Sequence, residues 1–229
     1  MWKKLLPRLY DLYCHSDRSN PDNYFHDFSE RLQEGFVLKT FQQIEFMLEQ
    51  LDESAWNDLR SRAVSYVNVT DSKKHRGWQQ LFSALEEAKG YIYLRETGYS
   101  QISFLHGESL PDLIATNGNS AALLEVKTIN ASDREIAYFN DRSVVQEARN
   151  VMYLIPAKLD AKLLSTIAAA KKQLRSYRPN ETLRRICLLL IRFDMDVRKG
   201  SKSIEQLKNI EQRESDKTCE VVCQITFSL

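Results

Sequence analysis

Asp112, Glu125 and Lys127 are the residues of this chain whose types and spacing could do chemistry together. Asp112 follows Pro111 and opens a short apolar run, Leu113-Ile114-Ala115-Thr116. A second run, Ala121-Ala122-Leu123-Leu124, leads into Glu125-Val126-Lys127-Thr128. Between the two lies Asn117-Gly118-Asn119, a cluster of turn formers of the kind that joins hairpin strands. In an antiparallel hairpin the start of one strand lies beside the end of the other, so the three polar residues should meet at one edge. Glu125 and Lys127 are two apart, and the pleat sends both to one face. Two carboxylates converging beside a lysine suit a hard divalent cation and a nucleophilic water. The chemistry such a site fits is hydrolysis of a phosphodiester.

The pattern Pro111-Asp112, then Glu125-x-Lys127, resembles the signature of the PD-(D/E)XK nuclease superfamily, over roughly residues 78–193. A second proline-aspartate pair, Pro21-Asp22, is followed by Asn23, Tyr24, Phe25 and His26. It has neither an apolar strand nor a Glu-x-Lys partner, which singles out the pair at Asp112. The resemblance implies an α/β fold with a restriction-endonuclease-like α-β-β-β-α-β core and a mixed sheet. It also implies Mg2+ or Mn2+ held by Asp112, Glu125 and the carbonyl of Val126, with Lys127 orienting or helping to deprotonate the attacking water. Related nucleases carry a glutamate on the helix before the first strand, about three turns ahead of the glycine that ends it. Glu87 has that spacing to Gly98 and is the expected further ligand; Glu86 points about 100° away. Gln173 and Tyr177 are spaced like the Gln-x-x-x-Tyr motif of the recombination-exonuclease branch. There the glutamine lies beside the catalytic centre and the tyrosine contacts substrate.

The elements that must position these residues are legible as periodic stripes. Trp2, Leu5, Leu6, Leu9 and Tyr13 predict a first helix; Phe25, Phe28 and Leu32 a second. Phe41, Ile44, Leu48 and Leu51 predict a third, and Trp56, Leu59, Ala63 and Tyr66 a fourth. The polar, aperiodic stretch 70–77 then suggests a junction, giving a helical domain over 1–76 and a nuclease-like domain over 77–229. Trp78 to Glu96 reads as a long amphipathic helix stopped by Gly98, and Tyr99 to Leu105 as the first strand. Residues 132–135 could cap a short helix, and residues 141–153 could hold another helix or a lid. Pro156 opens a helix striped by Leu159, Leu163, Leu164, Ile167, Ala170 and Leu174. Ile186 to Phe193 reads as a strand buried on both faces. A polar helix over Ser203 to Arg213 and a strand over Glu220 to Phe227 follow.

Composition bounds the function classes. Among 229 residues, 43% are apolar and 28% charged, the proportions of a globular protein. Net charge is only +1, yet residues 157–202 hold 12 Lys/Arg against 4 Asp/Glu. A basic segment on an acidic remainder can offer a phosphate-binding face, here Lys171, Lys172 and Arg175. Cys14, Cys187, Cys219 and Cys223 have no zinc spacing and no paired framework, which together with the absence of a signal-like stretch points to the cytoplasm. Cys219 and Cys223 should lie on the buried face of the last strand. No apolar run is long enough to span a bilayer, so no membrane partner is expected. No dinucleotide fingerprint, Walker loop or nucleophile elbow is present. The expected partner is nucleic acid, DNA first, with a homodimer or protein partner through the N-terminal helices. Two other readings stand beside this one. One is a nuclease-fold module that only binds nucleic acid or protein. The other is a cap-snatching-like RNA endonuclease with a histidine at the metal site, for which His106 is better placed than His75.

Overall fold

The computed structural model describes residues 2–68, 79–107, 109–129, 157–193 and 201–227. The junction expected at 70–77 and the elements expected over 132–135 and 141–153 lie outside these. Two compact units divide at Thr97–Gly98.

In the first unit a short 3-10 turn, Trp2–Lys4, precedes five helices: α1 (Pro7–His15), α2 (Phe28–Arg31), α3 (Gly35–Leu48), α4 (Glu53–Val64) and α5 (Gln79–Glu96). Pro7 splits the first predicted helix. It stands at the first helical position, where its missing N–H costs nothing, and Leu5 of the expected stripe is left 47% exposed. The buried residues form a cluster of rings. Trp2 stacks on Phe25 at 5.8 Å and meets Phe28 edge-on at 4.9 Å, and Phe28 meets Phe41 at 4.7 Å. Asp52 caps α4 by accepting from the Ala55 N–H at 2.8 Å and also accepts from the Tyr91 hydroxyl of α5 at 2.8 Å. Such ties explain why α5, expected to open the second domain, groups with the first unit.

The second unit is α/β, with a five-stranded mixed sheet in the order β1 (Gln101–Phe104), β2 (Leu113–Asn117), β3 (Ser120–Ile129), β4 (Arg184–Phe193) and β5 (Glu220–Phe227). The first three strands are antiparallel and the last three parallel. The parallel pairs need crossovers. Helix α6 (Ala157–Ser176) lies between β3 and β4 in sequence, and α7 (Ser201–Glu214) between β4 and β5. Gly118, at φ 57°, is the first central residue of the two-residue turn closing β2 to β3, a position where glycine carries no steric penalty. Leu163, Ile167, Ala170 and Leu174 of α6 form one core cluster with Leu123 and Ile129 of β3 and Cys187, Leu189 and Ile191 of β4. Leu207 and Ile210 of α7 join it beside Cys219 and Val221. All six residues from Ile186 to Ile191 are fully buried, as a strand covered on both faces requires. Among the described residues no helix is long and apolar enough to cross a membrane.

Candidate functional site

The last paired residues of the β2–β3 hairpin are Leu113 and Leu124. One step further in the same register sets Asp112 opposite Glu125, and residues directly opposite one another share a face. Here β2 leaves β3. In place of a backbone partner, the Val126 N–H donates to Asp112 Oδ2 at 2.8 Å. The backbone carbonyl of Asp112 accepts from the Leu105 N–H at 2.8 Å, so the chain after β1 fixes the residue from its other side. In extended backbone the N–H and C=O of one residue face the same neighbour. The Val126 carbonyl therefore faces the side on which the Asp112 carboxylate lies.

Glu125 is 1% exposed, its carboxylate shut away from solvent. What faces it is the Lys127 ammonium, in an ion pair to Oε1. Burial, reinforced by the charge of Asp112 and opposed by Lys127, pushes the Glu125 carboxyl up to about 7. For Lys127, burial works toward neutrality, but the Glu125 and Asp112 carboxylates outweigh it and raise its pKa. A buried carboxylate, a second carboxylate opposite and a backbone carbonyl on the same side are hard oxygen donors. They fit Mg2+ or Mn2+. Among the described residues no three His, Cys, Asp or Glu side chains gather as a metal-holding group.

Gln173, 63 residues from Leu110 in sequence, donates its side-chain N–H to the Leu110 carbonyl, just ahead of Pro111-Asp112. The face of α6 that carries Leu174 and Ala170 turns into the core, and Gln173 stands half-buried at its edge. Tyr177 is also half-buried, packed against the core cluster, with the Arg178 guanidinium 5.3 Å over its ring. The expected basic track is only partly open. Lys171 donates to the Glu214 carbonyl and pairs with Asp216 at 3.1 Å; Arg175 pairs with the same carboxylate at 2.7 Å. Lys172 is exposed. Glu87 lies in the first unit, 12% exposed, held by Arg62 at 2.6 Å, while Glu86 pairs with Lys89 at 3.0 Å.

Two neighbours of this cluster carry no readable signal in the sequence. The Leu110 carbonyl is a backbone group, and backbone acceptors leave no trace in a pattern of residue types. Cys187 reads only as part of an apolar run, yet the register sets it beside Glu125. Burial raises its thiol pKa, and the Glu125 charge adds to this, so it stands there as a neutral, poorly nucleophilic neighbour. No family model, no curated protein and no solved structure matches this chain.

Proposed function

We propose that this chain is a divalent-metal-dependent nuclease of the PD-(D/E)XK kind, hydrolysing phosphodiester bonds, DNA being the first substrate to test. The observation that carries the reading is the meeting of Asp112, Glu125 and Lys127 on one face where β2 parts from β3, with the Glu125 carboxylate buried against the Lys127 ammonium. Asp112, Glu125 and the Val126 carbonyl would hold Mg2+ or Mn2+, which when bound polarises the scissile phosphate and acidifies water. The chain's own groups do the rest. Lys127 keeps its proton beside two carboxylates, so it can hold a water by hydrogen bonding and offset negative charge growing on the phosphorus centre. Ligation would draw the Glu125 carboxylate toward cation and leave the Lys127 ammonium for water or phosphate. Gln173 fixes the segment that delivers Asp112 by tying down the Leu110 carbonyl. Restriction-endonuclease-like topology is part of this proposal, supported by the order of elements α5-β1-β2-β3-α6-β4.

The test is cleavage of labelled duplex, branched and single-stranded DNA and RNA with Mg2+, Mn2+ or EDTA. Metal-dependent cleavage is expected. Asp112→Ala, Glu125→Ala and Lys127→Ala should each lower it by orders of magnitude, with the fold intact by circular dichroism. Full activity in the Glu125→Ala protein would remove the assignment.

A further inference from the structure

The first unit carries a surface that the proposed chemistry does not use. Phe36 and Phe46 are 67% and 68% exposed, more than any other large apolar residue among those described. Both lie on α3, whose buried side is formed by Phe41, Ile44 and Leu48. At about 100° per residue, Phe36, Lys39, Gln43 and Phe46 fall within an arc of about 80° on the side of the helix away from that core. Lys39 and Gln43 are exposed as well. The stripe therefore reads phenylalanine, lysine, glutamine, phenylalanine, with successive steps of three, four and three residues. That spacing is the same in both directions.

We propose that this face of α3 is a self-association surface, occupied by the same helix of a second copy running antiparallel about a two-fold axis. Aligning Phe36 on the partner copy's Phe46 sets both apolar pairs together. It also sets the Lys39 ammonium, a donor, on the amide oxygen of the other copy's Gln43, an acceptor, twice per dimer. No like charges meet at either pairing. A parallel arrangement would set lysine on lysine. The size of the contact fixes its strength. A phenylalanine offers about 150–250 Å², so four rings at two-thirds exposure bring together roughly 500 Å² of apolar surface. With flanking residues this stays near or below the roughly 1,200 Å² of the smallest stable interfaces, which marks a weak, micromolar dimer.

Sedimentation velocity of the full chain over a wide concentration range reads this directly, with no nucleic acid and no metal present. Reversible, concentration-dependent dimerisation is expected. Phe46→Glu and Phe36→Glu should each abolish it, with circular dichroism and melting temperature unchanged because both side chains lie outside the core. Register is tested by charge. Gln43→Lys places like charges at both polar pairings and should weaken the dimer several-fold, whereas Lys39→Glu combined with Gln43→Lys should restore it. A chain that stays monomeric up to about 100-fold above a micromolar dissociation constant overturns the proposal. So does a dimer that survives Phe46→Glu, and so does a double variant that fails to recover. None of these outcomes depends on cleavage, so this surface and the proposed nuclease activity stand or fall separately.

Discussion

At the scale of single residues, Gln173 is the side chain whose role sequence and structure describe from different directions. Its spacing to Tyr177 marked it only through resemblance; its hydrogen bond to the Leu110 carbonyl gives the physical content. The bond crosses 63 residues of chain and holds the backbone one residue before Pro111. Proline cannot donate, so that stretch has few ties of its own and a side chain from α6 supplies one. Gln173→Ala should leave metal affinity near wild type and lower kcat, because Asp112 keeps its carboxylate but loses a fixed approach. Gln173→Glu should lower kcat further, since a carboxylate facing a carbonyl repels where the amide donated. Isothermal titration with Mn2+ alongside single-turnover cleavage separates the two effects. Equal kcat for wild type and Gln173→Glu would show that the tie does not serve turnover. The trio itself was legible for a simple reason. A hairpin register and a period of two are dictated by backbone geometry, so residue spacing alone predicts that Asp112, Glu125 and Lys127 share a face.

At the scale of elements, stripes of apolar residues predict helices well but say nothing of what completes their ends. Helix α1 has no capping side chain of its own at Leu6. Glu45 of α3, 37 residues from Arg8, supplies the cap: its two oxygens accept from the N–H groups of Arg8 at 2.6 Å and Leu9 at 3.1 Å. In the sequence Glu45 is a charged residue beside Ile44 on an apolar stripe, with nothing to mark its partner. It is 3% exposed, and burial, though opposed by the two backbone donors, pushes its carboxyl from 4.5 to about 6. The sign follows. A folded value above the unfolded one means that the fold favours the protonated form. This contribution is fully present below pH 4.5 and is lost as pH rises through about 6. A shift of that size corresponds to about 2 kcal/mol. Glu45→Gln cannot ionise, so relative to wild type it should gain about 2 kcal/mol between about pH 4 and about pH 8 in urea unfolding. The difference, rather than either curve alone, isolates Glu45 from Asp11 and Asp52, whose carboxyls are held low by their own hydrogen-bond donors. A pH-independent difference would show that the backbone donors balance the burial.

At the scale of the whole molecule, charge decides where nucleic acid could lie. The local excess over residues 157–202 is real as a count, 12 Lys/Arg against 4 Asp/Glu, but a count does not show which cations are already engaged. Asp216, outside that segment, engages two of them. It pairs with both Lys171 and Arg175; the Thr218 hydroxyl and N–H that donate to it, with Lys171, hold its carboxyl far below the usual range against the effect of burial. Lys171 and Arg175 thus tie α6 to the turn before β5, a job that residue types in sequence could not reveal because the partner lies more than 40 residues away. Lys172, next to Lys171 and exposed, is the cation of the three left facing water. Measured on duplex DNA in EDTA, Lys172→Ala should lower the log–log salt slope of binding by about 0.9, the value of one phosphate contact. Lys171→Ala and Arg175→Ala should change that slope little and lower the melting temperature instead, because each loosens the Asp216 turn. If the three substitutions alter the slope equally, the Asp216 pairs open on binding and all three cations reach phosphate. If none alters it, none of the three cations contacts phosphate.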